Sequence, residues 1–91
     1  MKLLTKDLNP LLFILDSCED ALNKGNLNLA EVWLAEYFEK LPQNALDQNY
    51  IKSIFHALKE RNLEYLKAAV ESEIERMRTL KVKALHDLVA R

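Results

Sequence analysis

The residues of this chain that could do chemistry are few and scattered. His56 and His86 are its two histidines, thirty positions apart. Glu60 follows His56 by four residues, the spacing that puts both on one helical face, but one imidazole and one carboxylate fall short of a metal site. Glu71, Glu73 and Glu75 point to rotating faces of a helix and do not converge. They read as a solvated face, offset by Arg76 and Arg78, and not as an acid/base pair. Cys18 is the single cysteine, which excludes an intramolecular disulfide and reads as a small buried hydrophobe. No Gly-rich phosphate loop and no nucleophile motif occurs. The expectation is a protein that is not an enzyme and holds no metal and no cofactor.

Composition narrows the class further. Hydrophobic residues make up 49% and charged residues 30% of the 91, the mix of one soluble folded domain spanning 1–91. Thirteen basic and fourteen acidic residues interleave to a net charge of −1, so there is no basic patch for nucleic acid and no polybasic membrane tether. Trp33, Tyr37, Phe38, Tyr50, Phe55 and Tyr65 recur at helical spacing. Glu31, Glu36 and Glu39 stand where a base-stacking platform would need cations, so core packing is the default for these rings. The longest apolar run, Leu11 to Leu15, is too short to span a membrane and has no cleavage site, and the chain is expected in the cytoplasm.

One Gly, two Pro and almost no strand pattern favour a few long helices. Asn9-Pro10 reads as N-cap and first helical residue. A first helix then covers about 10–24 and stops at Gly25. Its core face is Leu11, Ile14, Leu15, Cys18, Ala21 and Leu22, with Leu12 and Phe13 outside it. Asn28 and Glu31 have capping-box spacing before a second helix at about 29–41, ended by Pro42. Leu27, Ala30, Leu34, Tyr37 and Leu41 form its stripe, flanked by Trp33 and Phe38, with Leu29 and Val32 toward the glutamates.

After Pro42-Gln43-Asn44, a stretch without Pro or Gly carries apolar residues at a period near 3.6 from Ile51 to Leu88. It predicts a third helix over about 45–89, with a break near 62 or at 79–82 left open. Asn62 lies on that stripe, either to set register or to mark a boundary between two helices. The architecture expected is an all-α, antiparallel up-down-up bundle with a long C-terminal helix. Two helices of about 14 residues reach roughly 20 Å and the third could reach roughly 65 Å. Its end, Met77, Leu80, Ala84, Leu85 and Leu88, would then lack cover. Together with Leu29, Val32, Trp33 and Phe38 on the second helix, these are the candidate partner-binding residues.

The helix ending at Lys24-Gly25-Asn26, the following Leu29-Ala30-Glu31-Val32-Trp33-Leu34, the long helix with Asn62 on its stripe and the Lys81-Val82-Lys83-Ala84-Leu85 end together resemble FliT-type flagellar export chaperones, over about residues 11–88. The resemblance implies a cytoplasmic chaperone that shields the C-terminal segment of a secreted filament-cap protein before export. Gly25, Ala30 and Pro42 also fall at spacings similar to a tetratricopeptide repeat, and Ala21-Leu22 to Asn26-Leu27 is echoed by Ala57-Leu58 to Asn62-Leu63, 36 residues later. That keeps a chaperone of a type III secretion needle protein open. A homodimeric helical regulator or immunity protein is the reading from another class.

Overall fold

A computed structural model of the chain describes residues 5–41 and 46–89, with side-chain surroundings for 8–41 and 46–86. Leu3, Leu4, Pro42, Gln43, Asn44 and Ala45 lie outside the described residues, and so does the side chain of Leu88. The described residues form an all-α bundle of four helices: α1 (Thr5–Asn23), α2 (Leu27–Lys40), α3 (Gln48–Lys59) and α4 (Leu63–Val89). The long C-terminal helix is α4, of 27 residues, or about 40 Å at 1.5 Å per residue. No helix among them is long and apolar enough to cross a membrane.

Each helix forms because one face can be buried. In α1, Leu8, Leu11, Ile14, Leu15, Cys18, Ala21 and Leu22 are buried, a stripe at helical spacing. That stripe corrects the expected start. α1 begins at Thr5, and Pro10 sits inside it rather than at its first position. Burial of Leu8 is gained only if the helix reaches back past Asn9, worth about 1.5–3 kcal/mol. Pro10 stands beyond the first four amides of α1 and so removes one intrahelical hydrogen bond, a cost that the burial of Leu8 helps to offset.

The second correction concerns the cap of α2. Asn26, not Asn28, closes it: its Oδ1 accepts the Leu29 N–H at 3.1 Å, and Asn28 is exposed inside the helix. Of the two breaks left open for the long helix, the one near 62 is present: the helix is broken at Glu60–Asn62 and runs unbroken through Thr79–Val82. Asn62 therefore marks a boundary and does not set register. Its Oδ1 accepts the Tyr65 N–H at 3.2 Å and starts α4.

The two turns are copies of one structure. Gly25 has φ +73° and Arg61 φ +56°. Asn26 N–H donates to Ala21 O at 2.8 Å and Gly25 N–H to Leu22 O at 3.0 Å. Likewise Asn62 N–H donates to Ala57 O at 2.9 Å and Arg61 N–H to Leu58 O at 3.1 Å. Both are Schellman closures, followed at once by an Asn N-cap. The sequence echo 36 residues apart is thus a structural one, and the chain folds as two helical hairpins. Each three-residue link makes its two helices antiparallel neighbours.

Arg61 bears the left-handed strain that Gly25 avoids. Arg61→Gly is expected to raise the unfolding free energy by about 0.5–1 kcal/mol. Gly25→Ala should lower it by about 1 kcal/mol even though open space surrounds the position. Urea unfolding of the two variants reads the opposite signs directly.

Both α2 and α4 pack closely on α1, while the shorter α3 leans on α4 and the edge of α2. One core results, joining the α1 face to Leu34 and Tyr37, to Ile54 and Ala57, and to Leu66, Val70, Ile74 and Met77. Cys18 lies inside it, with its Sγ 3.7 Å from Ala30 O, where a small side chain lets α1 and α2 approach.

Candidate partner-binding faces

The α1–α2 hairpin exposes three large apolar side chains. Phe13 is 65% exposed, Val32 62% and Leu29 43%. Beside them Pro10, Phe13, Ile14, Val32, Trp33, Glu36 and Lys40 line a shallow cleft of about 340 Å³ between the two helices. The Phe13 and Trp33 rings meet edge to face across it, with centroids 6.2 Å apart and planes at 88°. That geometry is the favoured one for an aromatic pair and holds the cleft wall in place. Glu36 and Lys40 close one end as an ion pair at 3.2 Å, too exposed to add much stability.

The expected binding residues divide into three groups. Leu29 and Val32 are exposed on α2, and Leu85 is exposed on α4. Trp33, Phe38 and Leu80 are half-buried against the core, and Ala84 is half-buried beyond it. Met77 is a correction: it is fully buried, at 0% exposure, and is part of the monomer core rather than of an uncovered stripe. The reason is the break at Asn62. It lets α4 fold back along α1, so the cover extends as far as Met77. Phe38 packs on Tyr37 and on Phe55 of α3, at ring centroids of 5.5 and 5.7 Å, and it ties α2 to α3.

Phe13 and Val82 join the exposed apolar surface without having been expected there as binding residues, although the wheel already sets Phe13 off the core face. Val82, at 66% exposure, is among the most exposed large apolar side chains described. Its spacing carries the signal, because it falls four residues after Arg78 and five after Met77, off the buried stripe.

A larger surprise is Glu73, a buried carboxylate at 5% exposure. Its Oε1 accepts the Tyr37 hydroxyl at 2.7 Å and an Arg76 guanidinium N–H at 3.0 Å. The expectation of a solvated glutamate face is therefore wrong for this residue. Glu73 sits seven residues after Leu66, three after Val70 and four before Met77, squarely on the core stripe of α4. Burial, then the hydrogen bond and charge of Glu73, push the Tyr37 phenol far above its ordinary range. Arg76 Nε is buried without a partner, a cost the Glu73 contact offsets. The cluster staples α2 to α4.

Burial, with a lesser push from Glu19, also raises the Cys18 thiol from 9.0 to about 12, and burial above all raises Tyr50 from 10.0 to about 12. These groups stay protonated in the folded state while the unfolded chain would ionise. Stability is thus unaffected by them below about pH 9 and is lost as pH rises from 9 toward 12. Thermal melts at pH 8, 9.5 and 11 should show a falling midpoint. A midpoint unchanged to pH 11 contradicts the burial of these groups.

A second hollow, of about 480 Å³, lies at the α3–α4 turn among Lys52, Ser53, His56, Ala57, Glu60, Asn62 and Tyr65. It does bring His56 and Glu60 together, but among the described residues no group of three His, Cys, Asp or Glu could hold a metal. His86 lies exposed near the far end of α4.

Fold and surface define a class: a small bundle of two like helical hairpins with an apolar aromatic cleft on the first. Beyond that class, the chain matches no family model, no characterised protein and no solved structure.

Proposed function

We propose that this protein is a non-enzymatic binding protein that captures an amphipathic helix of another protein on the outer face of its α1–α2 hairpin. The observation that carries the reading is the contiguous exposure of Phe13, Leu29 and Val32 beside the Trp33 cleft. A rigid hairpin with apolar side chains at i and i+3 and a shallow groove alongside suits a helix laid in it. Such burial shields a partner segment without chemistry.

In its finer form the reading is a cytoplasmic chaperone akin to FliT-type flagellar export chaperones. It would hold the C-terminal segment of a filament-cap-type protein unassembled before export. The hairpin pattern and the length of α4 support it. One observation favours a second form: the duplicated turn at a 36-residue offset gives the chain a tetratricopeptide-like hairpin, the feature that suggests a chaperone of a type III secretion needle protein.

The test is a calorimetric titration of the full chain with a synthetic peptide of the filament-cap C-terminal segment from the same organism. A peptide from the C-terminus of a needle protein is titrated in parallel. One-to-one binding at micromolar affinity or tighter to either supports chaperoning and selects its form. No heat with either peptide sinks the chaperone reading.

A further inference from the structure

The most unusual surface outside the cleft is the far end of α4. Arg78, Lys81, Val82 and Leu85 recur at i, i+3, i+4 and i+7, the spacing of one helical face. Val82 and Leu85 are exposed, and no acidic residue occurs between Arg76 and His86. Arg78, Lys81 and Lys83 form no ion pair among the described residues. The end of α4 is thus a basic amphipathic face whose cations form no ion pair among the described residues.

The outer face of α2 has the complementary pattern. Leu29, Val32, Glu36 and Glu39 share one side by the same spacing. Two of the ion pairs formed, Lys24–Asp20 and Lys40–Glu36, lie on this hairpin. They leave Asp16, Glu19, Glu31 and Glu39 without a basic partner among the described residues. The hairpin is apolar and acidic where the end of α4 is apolar and basic.

The order along each helix also sets the direction. On α2 the apolar pair comes first and the carboxylates follow; on α4 the cations come first and the apolar pair follows. Laid antiparallel, Leu29 and Val32 meet Leu85 and Val82 while Glu36 and Glu39 meet Arg78 and Lys81. A parallel arrangement would set cations on leucine and valine. We infer that the chain forms a homodimer in which the basic apolar end of α4 from one copy lies antiparallel on the acidic apolar face of α2 of the other. Reciprocal exchange about a two-fold axis uses both faces of each copy, whereas one-way stacking would leave a face open and build a filament. The dimer does not rest on the chaperone reading, but it covers the same α2 face, so a captured helix and the second copy compete.

Sedimentation velocity of the full chain over a hundredfold concentration range tests this. The expected result is a monomer–dimer equilibrium whose Kd rises at least tenfold from low to high salt, as screening weakens the Glu–Arg/Lys contacts. Val32→Asp and Leu85→Asp should each raise Kd by tenfold or more, with helicity unchanged, and with melting temperature unchanged at concentrations where the wild type is monomeric, because both side chains are exposed in the single chain. Glu39→Lys combined with Arg78→Glu should recover affinity that each change alone loses. Mixing the Val32→Asp and Leu85→Asp chains should restore partial dimer, because one intact α2 face then meets one intact α4 end. A monomer at every concentration, a dimer indifferent to both substitutions, or mixed chains no better than either alone would overturn the proposal.

Discussion

Replacing Glu73 by alanine is expected to lower the unfolding free energy by about 3 kcal/mol and the melting temperature by roughly 10 °C or more for a domain of this size. The carboxylate is buried and holds both the Tyr37 hydroxyl and the Arg76 guanidinium. Removing it leaves a buried phenol without an acceptor and a guanidinium whose Nε is already unpartnered. The figure sits at the low end for a broken buried ion pair because Arg76 is part exposed and can turn toward water. Desolvation of the cluster opposes much of its own attraction. The double replacement Glu73→Leu with Arg76→Leu should therefore lie closer to wild type than Glu73→Ala does. Chemical denaturation of the three proteins decides it. A Glu73→Ala protein as stable as wild type would mean that the cluster does not staple α2 to α4.

The second large effect separates the two ends of the apolar stripe on α4. Met77→Ala is expected to cost about 2–5 kcal/mol, because a fully enclosed side chain leaves a cavity. Leu85→Asp, only eight residues on, should change stability by no more than about 0.5 kcal/mol, since the residue is exposed. The measurement is a pair of urea unfolding curves at equal protein concentration, below the range where any dimer forms. If Leu85→Asp unfolds the chain, the end of α4 is core and not surface. If Met77→Ala is silent, α4 does not pack on α1 as described.

The helical class is legible in the sequence because periodicity alone carries it, and the core faces of α1 and α2 follow from the same spacing. Leu27, Ala30, Leu34 and Tyr37 are buried as their positions imply. Boundaries are harder. Pro10 reads as a start signal, and local proline chemistry gives way to burial of Leu8. Asn28 has a glutamate at the right distance and Asn26 does not, yet the cap goes to Asn26, because the Gly25 turn fixes the residue that follows it. Asn62 is ambiguous for a physical reason. An apolar stripe can keep its phase across a three-residue turn, so periodicity does not reveal the break. The echo of Ala57-Leu58 and Asn62-Leu63 with Ala21-Leu22 and Asn26-Leu27 holds that information, since the earlier copy contains a glycine turn.

The candidate site is legible only in part. Leu29, Val32 and Leu85 are readable as apolar residues beyond the core's reach. Met77 depends on how far the fold covers α4, which a helical wheel does not contain. Glu73 is hard to read because its charge argues for solvent while its place between Val70 and Met77 points it inward, and position wins once Tyr37 and Arg76 satisfy the carboxylate.

The outer face of the α1–α2 hairpin is the surface proposed to receive a helix. Trp33, the one tryptophan of the chain, lines that cleft and so reports on its occupancy. The measurement is Trp33 emission during titration with the same C-terminal peptides, for the wild type and for Val32→Asp. The expected result is a saturable blue shift in the wild type, one peptide per chain, with affinity at least tenfold weaker in the variant. A Trp33 signal that does not respond while calorimetry registers binding, or that responds equally in both proteins, would contradict it.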